Sequence, residues 1–117
     1  MFTVRVRDGS KTSRAQYALL EDALAVCEGE ATRMAQAAPN RPIETGMRKF
    51  DPVDLVVGRV ELSSGGWFSR YARSAGLDIR GDGSIEAYSG RVSRSVVVFR
   101  VGETTFDGLR RAMLGDL

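Results

Sequence analysis

The sequence predicts an antiparallel α+β fold: a hairpin-rich sheet of about five strands, packed by one long helix, a short helix and a C-terminal helix. Three observations carry that expectation. Apolar and polar residues alternate with period two at the start of the chain, and the pattern returns later. One long stretch instead repeats its apolar residues at steps of three and four. The turn sequences Asp8-Gly9 and Gly81-Asp82-Gly83-Ser84 join neighbouring strand patterns, which makes those strands antiparallel hairpins.

Taken in order, Phe2, Val4 and Val6 alternate with Thr3, Arg5 and Arg7, as in a strand with one wet face. A loop over Asp8 to Lys11 sets Ala15 opposite Val4 and Tyr17 opposite Phe2. Against that hairpin, Ser13 and Gln16 have the spacing of a capping box, which would start a helix at once. The hairpin is slightly favoured. Tyr17, Leu20, Leu24, Cys27, Ala31, Met34 and Ala38 then form one helical stripe, with Glu21, Asp22, Glu28, Glu30 and Arg33 mostly off it. Pro39, Asn40 and Pro42 stop the helix.

Ile43 to Phe50 is patterned weakly, as a short edge strand, and Asp51-Pro52 marks a turn. Leu55 to Leu62 is rich in β-branched residues and reads as a strand, broken by Ser63-Ser64-Gly65-Gly66. Trp67 to Ala75 reads as a short helix, capped by Ser64 and stopped by Gly76. Leu77 to Tyr88 is a second hairpin. Val92 to Val101, apolar on both faces at Val96, Val97, Val98 and Phe99, has the look of a central strand. Thr104 or Thr105 caps a last helix that buries Phe106, Leu109, Met113 and Leu117.

The length of 117 residues fits a single domain, residues 1–117. A hydrophobic fraction of 43% and a charged fraction of 27% are those of a folded globular chain. No apolar run has the length of a membrane span, and the alternating N-terminus lacks the apolar centre of a signal peptide. A cytoplasmic location is expected, and the lone Cys27 agrees with it.

The chain has no histidine, which removes the commonest general base, the Ser-His and Cys-His pairs and imidazole zinc sites. One cysteine excludes thiolate clusters within a single chain, and Cys27 on an apolar stripe is expected to be a buried structural thiol. Asp78 to Ser89 echoes a calcium loop but fails it, with Arg80 where a ligand oxygen is needed. Gly81-Asp82-Gly83 lacks the context of a nucleotide fingerprint. The acidic pairs of the long helix belong to a solvated face. No enzyme, cofactor or metal is expected.

Arginine is the remaining signal. Formal net charge is only +2, yet every basic residue except Lys11 and Lys49 is an arginine. A GC-rich genome explains that bias, since Ala, Gly and Val are abundant too; a surface built for carboxylate or phosphate is the competing account. Arg5 and Arg7 share the wet face of the first strand. Trp67, Arg70, Tyr71 and Arg73 cluster in the short helix, and Arg80, Arg91 and Arg94 follow. These nine residues are the candidate partner-binding set, centred on Trp67 to Arg94, with Arg5, Arg7 and Arg14 next in line. Tryptophan, tyrosine and arginine are the usual anchors of protein interfaces.

The expected function is therefore a small non-catalytic protein that binds another protein or a nucleoprotein complex, as a monomer or homodimer. Inhibitors and accessory proteins of phages and mobile elements are of this type. Anti-CRISPR proteins are the best-known example, an analogy of size and character carried by no motif here. The alternatives are a nucleic-acid-binding module using the arginine and aromatic surface, which near-neutral charge disfavours, and a self-associating structural protein.

Overall fold

The structure, a computed structural model, describes residues 1–45, 48–65, 72–91 and 93–116. The chain opens with β1 (Phe2–Asp8) and β2 (Lys11–Tyr17), an antiparallel pair in which Val4 faces Ala15 and Phe2 faces Tyr17. This is the expected hairpin, so Ser13 and Gln16 lie in a strand and start no helix. The turn works because Gly9 takes φ +61°, a left-handed conformation that costs glycine little.

The helix α1 runs over Leu20–Gln36 and buries Ala23, Leu24, Cys27, Ala31 and Met34. Tyr17, at the head of the sequence stripe, belongs to β2, and Ala38 lies past the helix end. Glu21 and Asp22 in the first turn and Arg33 in the last oppose the helix dipole favourably. Where one edge strand was expected, two short strands, β3 (Ile43–Thr45) and β4 (Arg48–Phe50), pair with each other apart from the main sheet. A single 3-10 turn, Pro52–Asp54, follows.

The main sheet is completed by β5 (Val56–Ser64), β6 (Ser74–Arg80), β7 (Ile85–Ser89) and β8 (Ser95–Val96). It has six strands in the order β2-β1-β5-β6-β7-β8, with every neighbouring pair antiparallel. The final helix, α2 (Thr105–Leu114), opens on a full capping box. The Thr104 hydroxyl accepts from the Asp107 amide, and the Asp107 carboxylate accepts from the Thr104 amide. Leu109 and Met113 are buried and Phe106 half-buried, as the periodicity implied; Leu117 lies outside the described residues.

Both helices pack on one face of the sheet. Val4 and Val6 of β1, Val60 and Leu62 of β5, Ala75, Leu77 and Ile79 of β6 and Ala87 of β7 close the core against them. The alternate residues of those strands form the other face, which neither α1 nor α2 covers.

Two expectations are corrected. Ser74 and Ala75 belong to β6, not to a short helix, and Gly76 lies within that strand instead of stopping a helix. Period two governs here: Ala75, Leu77 and Ile79 are buried, and between them stand Gly76, which the Tyr88 ring covers, and Asp78. Trp67, Arg70 and Tyr71, the rest of that expected helix, lie outside the described residues. The second correction concerns Val92 to Val101. Of its described residues only Ser95 and Val96 form a strand, and that strand is an edge, while β5 holds a central place between β1 and β6. Val97 and Phe99 pack toward α2 at Gly108, but Val98 is 81% exposed. An apolar run looks the same to the sequence whether both its faces are covered or one is bare.

Candidate arginine-bearing sheet face

Register decides which side chains share the open face. One row crosses the whole sheet as Arg14, Arg5, Glu61, Gly76, Tyr88 and Val96, each directly opposite the next. Beside it runs a second row of Thr12, Arg7, Arg59, Asp78 and Glu86. A third holds Gln16, Thr3, Ser63 and Ser74. Strand alternation thus gathers arginines from far apart in the sequence onto one surface.

Tyr88 organises the middle of this face. Its ring lies across Gly76 on the neighbouring strand, where a β-carbon would collide with the ring and with the Val60 carbonyl. Arg94 stands 5.0 Å and Arg59 5.7 Å from the ring centroid, within range for cation–π attraction. Tyr88 is 5% exposed, and its hydroxyl is buried without a hydrogen-bond partner. Burial, with Glu61 nearby, pushes its phenol up to about 12.

The charges around it are unequally satisfied. Arg59 and Asp78 form a tight, largely buried pair at 2.6 Å, and Arg80 donates to Glu86 at 3.1 Å and to the Val53 carbonyl. Glu61 is shared loosely between Arg94 at 3.5 Å and Arg5 at 4.0 Å. The side chains of Arg7 and Arg14 are exposed and make no hydrogen bond or ion pair among the described residues. A concavity of about 460 Å³ opens beside Tyr88, lined by Arg5, Arg14, Arg73, Arg91 and Arg94 and by Ser63, Ser64 and Ser74. Arg73 is held there by its amide, which donates to the Ser64 hydroxyl, and by its guanidinium, which donates to the Met113 carbonyl. A shallower recess of about 150 Å³ lies between Arg5, Arg7, Thr12, Arg59 and Glu61.

The structure therefore brings together Arg5, Arg7, Arg91 and Arg94 of the expected set; Arg73 borders the concavity, but its guanidinium is turned to the end of α2 on the helix side. Arg80 shares the face but is engaged by Glu86 at its far end. Sequence reasoning missed Arg59, Glu61 and Tyr88, and ranked Arg14 behind others that are less free. The available signal was strand parity: once the hairpins are drawn in register, these residues fall on the rows that carry Arg5 and Arg7.

Cys27 is fully buried, and burial pushes its thiol up to about 12, so it carries no reactive thiolate. Asp78 is turned to Arg59, and Asp82 caps the Ser84 amide and hydroxyl within its own turn. No group of three acidic or cysteine side chains stands close enough to hold a metal ion among the described residues. No described helix is long and apolar enough to cross a membrane. Compared with protein-family models, with curated proteins and with solved structures, the chain finds no match.

Proposed function

We propose that this chain is a non-catalytic binding protein that docks the arginine-bearing face of its sheet onto an acidic surface of a larger protein or nucleoprotein assembly. The observation that carries this reading is the separation of charge across the sheet. Arg7 and Arg14 stand unpaired beside the arginine-lined concavity, whereas α1, on the opposite side, exposes Glu21, Asp22 and Glu28. An arginine left unpaired at a surface offers a planar fork for carboxylate or phosphate at little desolvation cost. A protein partner fits better than bases do, because Tyr88 lies beneath two arginines and offers no ring for stacking. A chain acting this way works by occupancy, as an inhibitor or accessory protein of phage or mobile-element type does.

The test uses Arg7→Glu with Arg14→Glu. Both side chains are exposed and unpaired, so the fold should be retained. Partners captured from the native host with the wild-type chain are purified and titrated against both forms. Binding should weaken by about 2 kcal/mol or more, roughly thirtyfold. Unchanged binding would remove this face from consideration. Wild-type affinity for duplexes of arbitrary sequence that falls steeply with salt would identify nucleic acid as the target instead.

A further inference from the structure

The outer edge of β8 is built unlike the opposite edge of the sheet. At β2, every residue from Lys11 to Gln16 is exposed, and all but the small Ala15 carry polar side chains of the kind that blunt an edge against pairing. At β8 and just beyond it, four large apolar residues stand exposed among Ser95 and Arg100: Val96 at 60%, Val98 at 81%, Phe99 at 48% and Val101 at 107%. Such an edge invites a further strand.

The backbone there is also open. The Val97 amide donates to the Ala87 carbonyl at 2.9 Å, so Val97 bonds inward to β7. In an antiparallel ladder the neighbouring residues then turn their amides and carbonyls outward. Val96 thus presents its donor and acceptor to the outer side of the sheet, where no strand pairs among the described residues, and Val98, two residues past the end of β8, has the same parity. The Val98 carbonyl already accepts from the Arg111 guanidinium at 2.8 Å, and a carbonyl oxygen retains a second lone pair.

From these features we infer that the chain forms a two-fold symmetric dimer by antiparallel pairing of this edge with the same edge of a second copy. Val96 lies opposite Val98 of the second copy, and the two sheets join as one. The occupant follows from the sequence of the edge itself. Val96-Val97-Val98 reads the same in both directions, so a reversed copy sets valine against valine at every position. The same register lets the outward groups of Val96 and Val98 exchange bonds in both directions. It places Arg94 across from Arg100 of the second copy, and each is already answered at home, Arg94 by Glu61 at 3.5 Å and Arg100 by Asp116 at 2.9 Å. Pairing with β2 of another molecule would set Lys11 and the unpaired Arg14 near those same arginines and would leave open ends that grow without limit. The symmetry axis stands perpendicular to the sheet, so both arginine-bearing faces point the same way. A partner with repeated acidic sites then meets two of them at once.

Sedimentation equilibrium of the full chain over a concentration series tests this directly. The wild type should pass from monomer to dimer and no further. Val96→Lys with Val98→Lys, at two exposed positions, should raise the dimer dissociation constant at least tenfold while far-UV dichroism and melting temperature stay near wild type. Amide exchange supplies a second measurement: protection at Val96 and Val98 should rise with protein concentration and at the β2 amides should not. A wild type that stays monomeric at every concentration overturns the proposal. So does a dimer that the lysine variant leaves intact, or growth beyond the dimer. Arg7→Glu with Arg14→Glu should dimerise normally, which keeps the failure of this seam distinct from failure of the docking face.

Discussion

Tyr88 and Cys27 show how single buried groups constrain this molecule. The Tyr88 hydroxyl gave up water on folding and gained no partner, a cost of order 1–3 kcal/mol for a buried polar group. Tyr88→Phe keeps the ring on Gly76 and deletes the unsatisfied oxygen. It should therefore leave stability unchanged or raise it by up to about 1 kcal/mol in denaturant unfolding, and a clear loss would mean that the hydroxyl is partnered in solution. Gly76→Ala works in the opposite sense. Its methyl group meets the Tyr88 ring and the Val60 carbonyl, and it should destabilise by about 1–3 kcal/mol, with less loss when Tyr88→Ala is combined with it. Both groups also set an alkaline limit. Burial pushes the Cys27 thiol from 9.0 up to about 12, so the unfolded chain releases this proton first as pH rises. Above pH 9 the folded state holds more protons than the unfolded one, and stability falls with pH until about 12. For Cys27 the slope is about 1.4 kcal/mol per pH unit, and Cys27→Ala should flatten it. Tyr88 acts in the same direction, beginning near 10. Cys27 was legible in the sequence because helical spacing alone places it on the buried stripe. Tyr88 was not, because its role depends on Gly76 across a strand pair that spacing along the chain does not reveal.

At the scale of elements, local pattern read the strands and helices well wherever it agreed with the tertiary environment. The opening hairpin, α1, the β6–β7 turn and the Thr104 cap all follow from periodicity and turn chemistry. The failures share a cause. Trp67 to Ala75 has aromatic and alanine residues at helical steps, yet its last two residues pair with β5, with Leu62 opposite Ala75. Likewise Val96 to Phe99 has the composition of a central strand and sits at an edge, because which strand lies beside which is settled by long-range pairing. The two helix starts offer a direct test of local chemistry. Thr104 supplies a side-chain cap, and Thr104→Ala should cost about 1 kcal/mol. At α1 the cap position is Leu19, extended at φ −109°, ψ 137°, 62% exposed and giving no side-chain bond. Leu19→Asp should add the missing acceptor beside the positive end of the helix and stabilise by about 1 kcal/mol. A shift of both melting temperatures in the same direction would contradict the capping argument.

For the whole molecule, a formal charge of +2 hides an uneven distribution. Arg5, Arg7, Arg14, Arg91 and Arg94 crowd the open face, where Glu61 is the only acid lining the concavity among the described residues. On the helix side, Glu21 is answered by Arg110 and Glu30 by Arg33, and Asp22 and Glu28 remain exposed. Counting charges suggested a protein with little pull on an anion; placing them on the register shows a basic plane backed by an acidic helix. Near pH 9.0, the isoelectric point, the two halves cancel and net attraction to a charged matrix vanishes. A sulfonated resin should nonetheless retain the wild type there at low salt, because contact is made by one face within a Debye length of about 10 Å at 0.1 M salt. Arg7→Glu with Arg14→Glu should abolish that retention. Arg33→Glu with Arg110→Glu changes net charge by the same amount on the helices, and breaks only exposed pairs whose loss costs little. That variant should elute close to the wild type. If the two variants shift equally, the resin is reading total charge and the open face has no privileged attraction for anions. If only the first shifts, the arrangement of arginines on the sheet governs what this molecule meets.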